Sequence, residues 1–491
     1  MSPALDMVKI FIFSLVLALA GCATATRSYH SESTQTIKHA ASKSLDQALA
    51  DLEAKPDKDL LYHMEKGELL RLQNNIPESL KSWLTADESV RAWEEEAKLN
   101  PDKLIGDITS FVVNDKFRRY EGFDFEKVLL TTRLALDHIA LGKWDNARTE
   151  IKKTHEREAV IAELRAKELV KIEQEAKARN ISVQYKDLQG YPVESLDDPA
   201  VAALRNSYQN AFSHYLAGFV YEALGEPSLA APGYRKAIEL RPGVPILEDA
   251  LKNLHKARPR ANETVALFTV EAGMAPARES KSFTVPVPTV GAISISFPVI
   301  HPDTRTYVPK QLEIEGRGAI PLAAVTNLDL MARRTLKDEM TGIITRSVIR
   351  ATGRGLAQKK AMEVGGGMLG TFGSLMSTAG VATGIATETA DERSWRLLPA
   401  QIAIGRAILP SGKYTLSVPT SSGVKKVNAD ISGKYAVVPV RLLEPTVYLV
   451  QNTQPLSLAQ AETPPPSIEE VKSAKEPKVP TRKKVMSKTK P

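Results

Sequence analysis

The chain has 491 residues, of which 43% are hydrophobic and 25% charged, with a formal net charge of +7. These proportions support ordinary globular cores over most of the length and argue for two or three domains, not for a disordered or fibrous chain. Eight Lys or Arg against three Glu between 463 and 491 hold most of the positive excess, so the charge gives no case for nucleic acid binding, and the single cysteine excludes an intramolecular disulfide.

The first element is an export signal. Ile10 to Ala20 is apolar but shorter than the roughly 20 residues that span a bilayer. Asp6 offsets Lys9, and Met7-Val8-Lys9 would make a tidier start, so residues 1–6 read as an over-long beginning. Leu19-Ala20-Gly21-Cys22 closes the run in the order at which lipoprotein processing cleaves and acylates a cysteine. Residues 1–21 are thus expected to be removed, Cys22 to carry lipid, and 22–32 to be a lipidated linker. Each buried acyl CH₂ contributes about 0.8 kcal/mol, so two or three chains hold a protein permanently. Ala23, where an Asp favours inner-membrane retention, points to the outer membrane, with the chain facing the periplasm.

From 33 to 258 the chain reads as an all-α solenoid of tetratricopeptide type. Gly218, Tyr221, Gly225, Ala230, Tyr234, Ala237 and Pro242 occupy the small and aromatic positions of that repeat. Small residues let the paired helices approach, aromatics fill the gaps between units, Gly225 turns the chain and Pro242 stops the second helix. Gly67, Leu70, Ser79, Trp83 and Ala86 keep the same offsets, and Ala135, Leu141-Gly142, Ala147 and Ile151 keep some of them. One such unit cannot bury its apolar face alone, so stacked neighbours are expected. Thr149 to Asn180 reads as one long helix with Ile161, Leu164, Leu169, Ile172 and Ala176 on one face, either as a charged solvated extension or as a coiled-coil seam. Tyr185 to Pro199 reads as a loop.

After Arg260 the period shortens. Thr264–Glu271, Ser282–Val287, Ala292–Val299, Gln401–Ile408, Tyr414–Val418, Lys425–Ile431 and Tyr435–Leu442 are β-branched and strand-like, with turns at Pro410-Ser411-Gly412 and Ser432-Gly433. They predict a sandwich-like β-rich domain over 261–450. A helical, glycine-rich insert interrupts it from 327 to 387. Its Val364–Thr387 part fits tight helix packing through small residues or insertion into a membrane or partner. Gly365-x-Gly367-x-x-Gly370 fits a dinucleotide cradle on spacing only, since Gln358–Glu363 is no buried strand. Residues 461–491 read as a disordered basic Pro/Lys tail.

No chemistry-bearing constellation is legible. The eight histidines, His30, His39, His63, His138, His155, His214, His255 and His301, lack metal-ligand spacing, and His155-Glu156 lacks the second histidine of a zinc-protease helix. No Gly-x-Ser-x-Gly elbow occurs, and acylation consumes the only thiol. The carboxylates fall in helical charge patterns, which solvated faces explain. The expectation is a non-enzyme with no cofactor, metal, nucleic acid or small-molecule substrate.

With the Leu19–Cys22 box and the repeat ending at Pro242, the stretches Glu271-Ala-Gly-Met-Ala-Pro-Ala-Arg278, Asp391-Glu-Arg393-Ser-Trp395-Arg-Leu-Leu398-Pro399 and Leu409-Pro410-x-Gly412-x-Tyr414 complete a pattern. It resembles a family of tetratricopeptide-repeat-containing lipoproteins of Gram-negative bacteria. The resemblance implies encoding near lipoproteins that activate peptidoglycan synthases, and it supplies no catalytic residues. Trp395 and Arg393 have two readings: a cap on the β-domain core with Arg393 on a carboxylate, or a contact hot spot for a partner. The overall expectation is a lipid-anchored scaffold whose repeats offer a concave docking surface to an envelope protein. The alternative is a structural or assembly subunit of a secretion, pilus or export complex that inserts its glycine-rich segment.

Overall fold

The computed structural model describes residues 29–105, 119–256, 259–287, 291–364 and 389–451. The signal segment, Cys22, most of the linker, the glycine-rich stretch from 365 to 387 and the basic tail lie outside the described residues.

The helices come first. They are α1 (Tyr29–Ala41), α2 (Leu45–Glu53), α3 (Leu60–Leu72), α4 (Ile76–Leu99), α5 (Pro101–Ile105), α6 (Asp124–Ala140), α7 (Trp144–Ala178), α8 (Val193–Leu196), α9 (Pro199–Ala202), α10 (Ala211–Ala223), α11 (Pro227–Leu240) and α12 (Pro245–Asn253). Their starts are written locally. Asp59 caps α3 by accepting the Tyr62 N–H, Asn210 caps α10 by accepting that of Ser213, and α4, α11 and α12 carry Pro in the first turn.

Three antiparallel pairs, α3–α4, α6–α7 and α10–α11, repeat one design. A sixteen-residue step joins Gly67 to Trp83, Ala135 to Ile151 and Gly218 to Tyr234. Gly67 and Gly218 lie against those rings so closely that a Cβ would fall 2.2 Å from Trp83 and 2.6 Å from Tyr234. Seven residues after the first position of each pair the backbone turns left-handed, at Asn74 (φ 60), Gly142 (φ 73) and Gly225 (φ 75). Ala230 and Ala237 are fully buried, and Pro242 follows the end of α11.

The strands follow: β1 (Glu263–Ala272), β2 (Glu279–Val287), β3 (Gly291–Val299), β4 (Gln311–Ile314), β5 (Gly318–Pro321) and β6 (Ala323–Asn327). The long helix α13 (Leu328–Val364) intervenes before β7 (Gln401–Pro410), β8 (Gly412–Thr420), β9 (Gly423–Ile431), β10 (Tyr435–Leu443) and β11 (Thr446–Leu449). One sheet has the order β11-β10-β1-β7-β6, a second β5-β4-β8-β9, and β2-β3 form a separate hairpin. β1 runs parallel to β10 and antiparallel to β7.

The result is three layers, and β1 explains why. Ala266, Phe268, Val270 and Ala272 point into an aliphatic core shared with Leu312, Leu416, Val418, Ile431 and Val440 of the two facing sheets. Val265 and Leu267 point the other way, into a core shared with Phe212, Phe219, Trp83 and Leu130 of the helices. The side-chain period of 2 therefore serves two cores at once, and β1 is buried on both faces from Thr264 onward. The expected helical region and β-rich region thus share one continuous core. α13 packs on the helical layer too: Gly342 lies where a Cβ would meet Ile172 of α7 at 2.8 Å.

Strands β4 to β6 escaped the sequence reading because each has only four or five residues.

Candidate functional site

The helices α3, α4 and α6 leave a groove, and the chain fills it with its own residues 391–400. Two buried carboxylates hold that segment by its backbone. Glu126 accepts the Trp395 N–H at 2.7 Å, while Glu65 accepts the N–H of Arg396 at 2.7 Å and of Leu397 at 3.2 Å. The same carboxylates take the hydroxyls of Tyr120 and Tyr29. Trp395 is fully buried, edge-on to Trp83 with centroids 6.2 Å apart. Arg396 donates to the Ala275 carbonyl, and Ala275 N–H to that of Leu398. The stretches 271–278 and 391–399, distant in sequence, therefore meet in space. Gly273 makes their turn possible, at φ 67 and with no room for a Cβ beside Thr306.

Next to the captured segment lies a fully buried ion cluster. Glu271 of β1 accepts Arg133 Nη1 at 2.7 Å and Arg71 Nη1 at 3.3 Å. Arg133 reaches on to Glu68 at 2.9 Å, and Arg71 Nε stands 3.6 Å from Asp137. Arg441 of β10 donates to the backbone carbonyls of Glu271, Leu442 and Leu397. Burial pushes the Glu271 carboxyl up, but Arg133 and Arg71 outweigh it and hold it at about 2. Burial lifts Asp137 to about 7 against the pull of Arg71, and lifts Glu65 to about 7 against its backbone donors. A third tie joins the last repeat pair to β7, where Arg406 grips both carboxylate oxygens of Glu222 and Tyr234 donates to the same group.

Open to solvent beside this assembly is a cleft of about 200 Å³ between α5, the segment 119–123, α7, α13 and β3. Arg278 stacks on Phe123 at 4.5 Å and bonds Glu339 at 3.2 Å. Arg165 holds Asp124 through two bonds of 2.7 and 2.9 Å and also reaches Glu168. Burial would raise Asp124, but Arg165 and Lys127 keep it well below the ordinary carboxylate range. Each of these guanidiniums is already matched by an acid, so the cleft presents paired charge and aromatic rims. Such a lining suits contact with another polar surface.

The predicted site residues fall as follows. The seven repeat residues lie on α10, α11 and the turns around them, as described above. Trp395 is an internal residue with no exposed surface, and its partner ring belongs to the helical layer, not to the β core. Arg393 pairs with Asp391 at 2.7 Å and lies over the Tyr120 ring. Trp395 is sealed and offers no partner contact, while Arg393 is half-buried, its guanidinium held by Asp391. The inner groove is closed as well, by residues 391–400 and by the five-stranded sheet, which corrects the expectation of an open concave docking surface. The solvated-face reading also fails for Glu65, Glu68, Glu126 and Asp137, all at most 4% exposed. In α6 every residue from Asp124 to Ile139 is buried, so no amphipathic stripe could have flagged them. Two histidines read as unrelated come together: His155 and His214 stack at 5.3 Å, with His214 3.1 Å from Glu158. Among the described residues no group of three or more His, Cys, Asp or Glu could hold a metal ion, and no helix is long and apolar enough to cross a membrane.

No protein-family model matches the chain, and no curated protein matches it. Among solved structures it is similar, at 14% identity, to a tetratricopeptide repeat protein from Parabacteroides merdae ATCC 43184. That match covers 46% of this chain and 98% of the other, with a TM-score of 0.13.

Proposed function

We propose that this chain is a non-enzymatic lipoprotein of the Gram-negative outer membrane, facing the periplasm, that works as a docking scaffold for another envelope protein. The repeated helix pair, of tetratricopeptide type in its spacing, carries this reading. Stacked units of one design present a surface that repeats along the stack. With the inner helices closed by the chain's own sheet, the outer helices α4, α7 and α11 are the surface on offer. α7 is 35 residues long against 17 in its partner α6, so its second half runs past the pair. Leu169 and Val170 on that half are 49% and 53% exposed, set among Lys167, Glu168, Lys171 and Glu173. Adjacent exposed aliphatics within a charged surround fit the core-and-rim pattern of a protein contact. The family resemblance supports a partner in cell-wall synthesis.

A photoreactive amino acid at position 169 of the acylated protein, activated in living cells of the native host, tests the reading. The expected product is a discrete adduct with one envelope protein. No adduct from positions 169 and 170, or along α4 and α11, would count against docking. Soluble fragments released from peptidoglycan by the purified protein would replace the scaffold reading with a hydrolase.

A further inference from the structure

We infer that the outer edge of β9 is a docking site for an extended, acidic segment of a partner protein, which adds a fifth strand to the four-stranded sheet. The register fixes which way the backbone points. Glu315 N–H donates to the Thr415 carbonyl, so Thr415 and, two residues on, Ser417 face β4, while Tyr414, Leu416 and Val418 face β9. Thr415 lies opposite Asn428, Ser417 opposite Lys426 and Pro419 opposite Val424. These pairs share no backbone bond, so the N–H and C=O groups of Val424, Lys426 and Asn428 point away from β8, past the edge. Pro419, with no N–H to give, fits such a position. Asp430 confirms the direction, because the Gln451 side-chain amide closes its outward N–H at 3.2 Å and its C=O at 3.0 Å. Among the described residues nothing closes the outward groups of Val424, Lys426 and Asn428, and all three residues are exposed. At roughly 3.4 Å per residue, the stretch 424–428 is about 17 Å of open edge.

The other edges are engaged or short. Thr446 and Tyr448 tie β11 to carbonyls of α1, Thr326 of β6 takes the Phe212 N–H of α10, and Gln189 bridges β2 at Thr284. β5 has only four residues. An open edge offers backbone bonds to any strand, and side chains decide which strand pairs. Lys425 is exposed and makes no ion pair among the described residues. Lys426 is held by Glu315 in a pair 62% and 59% exposed, which exchanges at little cost. A second β9 would bring lysine toward lysine, which disfavours self-pairing, whereas an acidic strand answers both charges. Val427 packs at the margin of the aliphatic core, so its opposite number is apolar. The guest therefore reads polar, apolar, acidic, acidic opposite Asn428, Val427, Lys426 and Lys425.

The probe is a fluorescein-labelled peptide with blocked ends, Thr-Val-Glu-Glu-Val-Thr, titrated against the full-length protein in detergent and read by fluorescence anisotropy. Saturable binding is expected. N-methylation of the first, third and fifth peptide residues removes the donors that face β9 and should weaken binding at least about tenfold. Lys425→Glu should weaken it about fivefold. Asn428→Pro deletes one outward N–H and leaves the ladder to β8 intact, so it should weaken binding while thermal unfolding stays close to that of the unaltered chain. No saturable binding, or equal binding of the N-methylated peptide, overturns the assignment. If Asn428→Pro does not fold, the N-methylated peptide on the unaltered chain decides alone. Self-association of the unaltered chain that Asn428→Pro abolishes would give the edge to a second copy and overturn the partner.

Discussion

The two faces of the five-stranded sheet are built on opposite plans. Toward the four-stranded sheet it presents alanines, valines, Leu409, Leu442 and Phe268, all buried with no charge among them. Toward the helices it presents Glu271, Arg441 and Arg406 among the aliphatics, each engaged with a helix side chain or a buried carbonyl. Aliphatic packing is non-directional and tolerates sliding. A carboxylate that takes one arginine from α3 and another from α6 fixes where both helices dock. The contrast suggests that the outer face supplies stability while the inner face supplies a unique registry.

That contrast can be broken first by single changes in each face. Phe268→Ala and Glu271→Gln should each cost about 3–5 kcal/mol, the first through a cavity and the second through stranded guanidiniums. Urea unfolding followed by tryptophan fluorescence measures both. The difference lies in the rescue. Glu68→Leu, Arg133→Met and Glu271→Leu together should recover part of the loss, because apolar groups then replace the Arg133 half of the cluster, while Arg71 keeps only Asp137. A triple variant less stable than Glu271→Gln would show that the ions contribute stability as well as registry.

A middle-sized effect sharpens the helical side. Gly218→Ala drives a methyl group to 2.6 Å from the Tyr234 ring and should cost about 1–3 kcal/mol. Gly142→Ala meets no atom but sits at φ 73, so it should cost less than Gly218→Ala. Thermal unfolding of the two variants ranks close approach against backbone strain.

Acid dependence gives a smaller, signed effect. Glu65 and Asp137 titrate near 7 in the fold, above their ordinary 4.5 and 3.8. The folded chain keeps protons there that the unfolded chain has released, so stability from these groups falls as pH rises from about 4.5 to 7. Glu271, held at about 2, acts oppositely: its contribution is present above its ordinary 4.5 and lost as pH falls toward 2. Melting at pH 5 should exceed melting at pH 8, and Glu65→Gln should flatten that slope. The smallest effect belongs to the outer helices. Leu169→Ala, at a half-exposed position, should shift stability by less than about 0.5 kcal/mol. A larger loss by urea titration would mean that Leu169 is already covered by this chain.

The repeats were legible because their signal is local: small residues and aromatics sixteen apart on one helix pair. The strands β1, β7 and β10 were legible from their β-branched runs. What occupies the groove was not, because Trp395, Arg396 and Leu397 lie 269 to 332 residues from the two carboxylates that take their N–H groups. Thr269 and Glu271 alternate with Phe268 and Val270 as an outward, solvated face would. Nothing in that alternation tells water from a layer of helices carrying arginines. In the same way, Glu68, Arg71, Arg133 and Asp137 resemble the charged surface of any solenoid until the sheet is placed on top.

The backbone clamp at Glu65 has a consequence in time. Its partner Arg396 is 331 residues downstream. At about 5–20 residues per second of synthesis, the carboxylate waits on the order of half a minute for the N–H groups that will pair with it. Until then Glu65, Glu126 and the Trp83 ring lack the partners that the complete fold gives them. The amino-terminal half is therefore born unfinished, and a chain cut before residue 391 has every repeat yet lacks the piece that closes them.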